Sequence, residues 1–156
     1  MKATTRKFDS IQQEAYLAIW RTYDRLRAIE EALFSEWNIS AQQYNVLRLL
    51  QSVSPQKIPT LSLTKRLVSR APDITRMLDR LELNGWIVRE RSAEDRRTVL
   101  VGITEEGIEL LSQLRKPLEQ CHQMQVGHMS EVELKSLCNL LNLVREPHET
   151  EDGFWK

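Results

Sequence analysis

Arg76 and Arg80 stand four residues apart, and Arg96 and Arg97 sit side by side further along the chain. A guanidinium offers a planar fork of N–H donors that suits phosphate oxygens and the edge of guanine. On a helix, a spacing of four puts Arg76 and Arg80 on one face, with Asp73 three residues before Arg76. Thr75 adds a short hydroxyl and a methyl, fit for a phosphate or a thymine methyl. Arg70 precedes this set. Arg96 and Arg97 close a polar run, Ser92–Arg97, that reads as the tip of a hairpin. An arginine on such a tip can enter the narrow minor groove of a duplex, where the potential is most negative. Asp95 fits either as a partner of Arg97 across the turn or as an Asx-turn residue. Together Arg70, Asp73, Thr75, Arg76, Arg80, Asp95, Arg96 and Arg97 form a candidate surface for double-stranded DNA. The plainer alternative is that Asp73, Arg76, Asp79 and Arg80 pair along a solvated helix face.

Charge alone leaves the plainer reading ahead; the basic hairpin tip directly after the helix is what favours the first. The 156 residues carry 22 basic and 22 acidic side chains, so bulk charge cannot hold a polyanion and any basic surface must be local. Residues 57–102 hold 10 basic and 6 acidic side chains, whereas residues 103–156 hold 5 basic and 10 acidic. The acidic third would repel phosphates and belongs away from DNA. At 41% hydrophobic and 28% charged residues the chain is too apolar to be disordered. Two cysteines cannot staple a disulfide scaffold. No charged start is followed by an apolar signal core, and no window approaches the roughly 20 apolar residues of a membrane span, so a cytoplasmic protein that avoids membranes is expected. The glycines at 85, 102, 107, 127 and 153 form neither a dinucleotide fingerprint nor a phosphate loop. No Ser, Cys or His sits in a recognisable nucleophile context, so neither enzyme activity nor a cofactor is expected.

The elements that must position these residues follow from periodicity. Tyr16, Ile19, Tyr23, Leu26, Ile29 and Leu33 recur at steps of three and four, predicting one helix over 9–37, about 40 Å long. That exceeds what a domain of this size needs for its own core and suggests a partner chain. Ser40 and Gln43 have capping-box spacing ahead of a second helix that ends at Ser54-Pro55. A short third helix is predicted after Pro59, with Thr60 as N-cap and Leu61, Leu63 and Leu67 inward. A fourth spans 71–84, with Pro72 in its first turn, Ile74, Met77, Leu78 and Leu81 as its stripe, and Gly85 beyond its end. The period then changes to that of strands at 86–91 and 98–103. Thr104 caps a fifth helix, which Pro117 should kink or break. Ser130 and Glu133 box a sixth, striped by Val132, Leu137, Leu140, Leu141 and Val144. The last ten residues are expected to fray. The fold class is mainly α with one small β-hairpin: a winged helix-turn-helix over 40–103, between long helices at 9–37 and 104–146.

The run Ile74-Thr-Arg-Met-Leu-Asp-Arg-Leu-Glu82, then Asn84-Gly-Trp-Ile-Val-Arg-Glu-Arg91, the tip Glu94-Asp-Arg-Arg97 and Val99-Leu-Val-Gly-Ile-Thr-Glu-Glu-Gly107 resemble the MarR family of multiple-antibiotic-resistance-type regulators. The resemblance implies a homodimeric winged-helix transcription regulator, more often a repressor, on a near-palindromic operator. It implies that the first and the two last helices interlock with the partner, that 71–84 is the recognition helix, and that Asp95 and Arg97 are the wing pair. It further implies a small aromatic or phenolic effector between the dimer helices and the DNA-binding lobe. Trp20 and Tyr44 are candidates to line that site. Some relatives sense oxidants through a cysteine near the start of the first helix, and none stands there in this chain.

Cys121, His122, His128 and Cys138 lack the spacing of a metal site, and the two cysteines read as core residues. Tyr16, Trp20, Tyr23, Trp37 and Tyr44 read first as core or dimer packing. Two rivals remain: a winged-helix module whose arginines meet an acidic protein, and a redox switch using Cys121 or Cys138.

Overall fold

The computed structural model describes residues 7–68 and 73–149. Helix α1 (Ile11–Glu36) starts at Ser10, whose hydroxyl accepts the Gln13 N–H. Helix α2 (Ala41–Val53) carries the complete Ser40–Gln43 capping box. Strand β1 (Ile58–Pro59) leads into α3 (Thr60–Arg66), and α4 (Ile74–Leu83) follows. The hairpin strands are β2 (Ile87–Arg91) and β3 (Val99–Ile103). Helices α5 (Glu105–Val126) and α6 (Glu131–Arg145) and a single 3₁₀ turn at Glu146–His148 complete the order.

The core gathers Leu47 and Leu50 of α2, Leu63 of α3, Leu78 and Leu81 of α4, Ile87 and Val101 of the hairpin, and Leu114 of α5. Phe34 joins from the last turn of α1, its ring centre 5.2 Å from that of Tyr44 and tilted against it. The helix-turn-helix and the hairpin therefore share one apolar centre, roofed by α5. Helices α1 and α6 behave differently. In 26 residues α1 buries Phe34 alone, and α6 buries none of its 15. Tyr16, Trp20 and Tyr23 of α1 and Val132, Leu140 and Leu143 of α6 are more than half exposed.

Several local expectations are corrected. Among the described residues the sheet has three strands, in the order β1-β3-β2, because Ile58 and Pro59 pair with Val101 and Leu100. Pro59 rather than Thr60 occupies the N-cap of α3, and the Thr60 hydroxyl instead donates to the Val99 carbonyl at 3.2 Å. Leu61 points outward, 70% exposed, while Leu63 and Leu67 pack inward. Helix α4 begins at Ile74, not at 71, because Asp73 has non-helical backbone angles and caps it; Pro72 and Arg70 lie outside the described residues. Helix α5 runs through Pro117 without a break. The proline removes one backbone bond, and Leu114, Leu118 and Cys121 keep both halves packed. Cys121 is buried as expected, but Cys138 is exposed on the unpartnered face of α6. Of the chain's expected frayed end, residues 147–149 are ordered and 150–156 lie outside the described residues.

Candidate nucleic-acid interface

Helix α4 presents its arginines because its other face is taken. Leu78 and Leu81 are buried and Ile74 and Met77 pack partly against the core, which leaves Thr75, Arg76, Asp79 and Arg80 outward. Asp73 Oδ1 accepts the Arg76 backbone N–H at 3.2 Å, and its Oδ2 lies 3.6 Å from Arg76 Nε. Asp73 thus starts the helix and steers the first arginine. The Arg76 side chain is still 74% exposed, so this contact leaves its donors available. Arg76 and Arg80 both line a concavity of about 230 Å³ whose opposite wall is Ser40, Gln42 and Gln43 at the start of α2. Among the described residues Arg80 makes no ion pair, and Asp79 turns to Arg89 instead of pairing along the helix. The pairing of all four charges along a solvated helix is therefore not what the molecule does.

The hairpin tip is built from its own backbone. Asp95 Oδ1 accepts the Arg97 N–H at 2.9 Å and Oδ2 accepts the Thr98 hydroxyl at 2.9 Å. These bonds hold its carboxyl below the usual carboxylate range, the Arg97 N–H contributing most. Of the two roles open to Asp95, the Asx turn is the one formed, and no side-chain ion pair with Arg97 accompanies it. The Ser92 N–H closes the hairpin on the Thr98 carbonyl at 2.9 Å, and Arg91 Nη1 donates to the Arg96 carbonyl at 2.9 Å. Arg96 and Arg97 project from this frame exposed, with no ion pair among the described residues. Among the described residues the helix set and the tip set share no direct bond.

The elements that carry them are tied together by Arg89 of β2, a basic residue to which the sequence alone gives no role. Its Nε and Nη2 donate to Glu82 Oε2 at 2.9 and 2.6 Å, and Nη2 also donates to Asp79 Oδ1 at 2.6 Å. Its backbone N–H donates to Glu82 Oε1 at 3.1 Å. Hydrogen bonding from Arg89 pulls the Glu82 carboxyl below its usual value and pushes the guanidinium above its own. The one sequence signal was the alternation of Arg89 and Arg91 on a strand. It says that they share a side of the strand, and does not say what lies there.

The sequence model of the MarR family matches residues 39–99, which hold the helix-turn-helix and most of the hairpin. The multiple antibiotic resistance protein MarR of Salmonella typhimurium is 30% identical over 92% of this chain and 99% of its own length. The chain belongs to the MarR family. A crystal structure of a MarR transcription factor from Planctomyces limnophilus is 52% identical, with a TM-score of 0.70, covering 88% of this chain and 99% of that one. A mutant MarR from Escherichia coli, crystallised with operator DNA, superimposes with a TM-score of 0.76 at 26% identity, covering 87% of this chain and 99% of that one. This MarR-family protein is accordingly a DNA-binding transcription regulator with a winged-helix fold, and not an enzyme.

The other sites are plainer. Between α2 and α5 this MarR-family chain has a groove of about 510 Å³, lined by Tyr44, Arg48, Leu111, Arg115 and His122 among others. Burial pushes the Tyr44 phenol above its usual value. Trp20 does not line the groove; it lies outward on α1 with its ring 6.1 Å from that of Tyr16. Burial likewise pushes the Cys121 thiol up, away from the thiolate that redox chemistry needs. Among the described residues no cluster of His, Cys, Asp and Glu could hold a metal, and no helix is long and apolar enough to cross a membrane.

Proposed function

We propose that this regulator is a ligand-responsive repressor that acts as a homodimer on a near-palindromic operator, with α4 in the major groove and the hairpin tip in the flanking minor groove. The observation that carries the reading is the exposure of two guanidinium sets on adjacent elements: Arg76 and Arg80 on α4, Arg96 and Arg97 on the wing. Thr75 lies among the helix arginines as a base or phosphate contact. Asp73 and Asp95 act through the backbone, one starting the helix and the other shaping the tip. Arg70, just ahead of α4, is proposed as a further phosphate contact.

The homodimer is supported by the unpartnered apolar faces of α1 and α6. One winged unit has a small interface, whereas two on a two-fold axis read half-sites one helical turn, roughly 34 Å, apart. A dimer spanning two half-sites excludes other proteins from the same DNA, which favours repression. The α2–α5 groove is supported as the effector site because it joins the DNA-binding lobe to the long helices, so an aromatic ligand against Tyr44 would bias one relative to the other. Trp20 would take part only through the partner's surface.

Selection of bound sequences from a random duplex pool tests the reading. An inverted repeat with half-sites about 10 base pairs apart is expected. Recovery of no enriched sequence, or of an asymmetric one, would refute it. A phenolic acid that releases the selected duplex supports the effector site; a panel giving neither release nor thermal shift counts against it.

A further inference from the structure

Strand β2 is an edge strand, since the sheet order among the described residues is β1-β3-β2. In an antiparallel ladder every second residue turns its N–H and C=O away from the neighbouring strand. Ser92 bonds to Thr98, and the register pairs Val88 with Gly102, so Arg89 falls in the outward set. Its N–H finds Glu82 of α4 instead. The same carboxylate takes the guanidinium through two further bonds, and Asp79, one turn earlier on α4, takes a fourth. The free edge of the wing is thereby stapled to the recognition helix by a single residue.

The covalent route between the two elements is short but bends sharply. Asn84 ends α4 and Gly85, at φ +75°, turns the chain into β2. A turn and a few core side chains fix where the hairpin starts; the Arg89 staple fixes the angle at which it leaves. Two residues on, Arg91 bonds the Arg96 carbonyl, so the angle set at Arg89 is carried to the tip. The Arg89 side chain is 24% exposed and its Nε and Nη2 are engaged with two carboxylates, so most of its fork is turned to α4 rather than to a phosphate.

We infer that Arg89 is a positioning residue for DNA binding: it indexes the wing to the recognition helix, so that Arg97 and Arg76 engage one duplex together. The inference rests on the reading that α4 and the tip hold DNA. Its signature is coupling. In the native protein, Arg97→Ala weakens binding of the full-length protein to the duplex selected by the wild type by about tenfold. In an Arg89→Gln background the wing is no longer aimed, so the same change costs less than twofold. Arg89→Gln alone loses about tenfold. Its hydroxyl-radical footprint keeps the protection given by the recognition helix and loses the flanking minor-groove protection. Glu82→Gln cuts the same staple from the helix side and gives the same pattern, which separates aim from any misfolding peculiar to Arg89→Gln.

Binding by Arg89→Gln within twofold of wild type overturns the inference, as does an Arg97→Ala penalty of full size in that background. If Arg76→Ala and Arg97→Ala cost affinity while Arg89→Gln does not, the DNA face stands and the inference alone falls. If neither arginine matters in the native background, the DNA face is wrong and the inference falls with it.

Discussion

The stem of Lys57 lies directly across Gly102, so close that a Cβ on the glycine would sit 2.7 Å from Lys57 Cγ. Lys57 crosses the middle strand in this way to reach Glu90 on the far strand. The crossing straps the short β1 to the hairpin and thus ties the helix-turn-helix to the base of the wing. A side chain at 102 must displace the stem near its root, where it has little freedom. Gly102→Val is expected to destabilise the protein by about 1–3 kcal/mol through overpacking. Urea denaturation measures this; a change within 0.5 kcal/mol, roughly the scatter of neutral surface substitutions, would show that the strap is dispensable.

Acid should loosen the staple between wing and helix. Hydrogen bonds from Arg89 hold the Glu82 carboxyl below its ordinary 4.5. The unfolded chain therefore binds this proton first as pH falls. The stability that Glu82 supplies is complete above about 4.5 and is lost as pH drops through the lowered folded value. Asp95 is shifted the same way and contributes the same sign. Glu82→Gln should cost about 1 kcal/mol or less at pH 7, the carboxylate being partly solvated, and should show a shallower loss between pH 5 and 3. Parallel stability curves for the two proteins would contradict this assignment.

The exposed stripe of α6 gives a third expectation. Leu140 is 61% exposed in the single chain, so Leu140→Glu leaves the protomer's own core untouched. It should yield folded monomers by light scattering and weaken binding to the selected duplex by at least about a hundredfold, because the second half-site no longer binds intramolecularly. A variant that remains dimeric at micromolar concentration would place the subunit contact elsewhere.

Features decided by local physics are legible in the sequence. The Ser40–Gln43 and Ser130–Glu133 boxes, the Gly85 turn and the stripe of α4 are all local, and all formed where spacing placed them. At Gly85 the N–H reaches the Glu82 carbonyl and the Trp86 N–H the Leu81 carbonyl, the paired bonds that end a helix in a left-handed residue. Strand β1 was missed because two residues carry no period. Leu61 was misplaced because apolar type does not fix direction in a helix of seven residues. Arg89 was passed over because its role depends on which edge of the sheet meets α4, a fact of tertiary register. The faces of α1 and α6 read as apolar stripes and are so; among the described residues they stand exposed.

The grip of two guanidinium sets on one duplex is tested most directly by Arg76→Ala and Arg97→Ala, titrated against the selected operator, its single-base variants and a random duplex. Arg76→Ala should lose about 1–3 kcal/mol of discrimination at one base pair in each half-site, and Arg97→Ala should weaken all duplexes evenly and flatten the salt dependence. If both variants bind every duplex within twofold of the wild type, these arginines do not hold DNA.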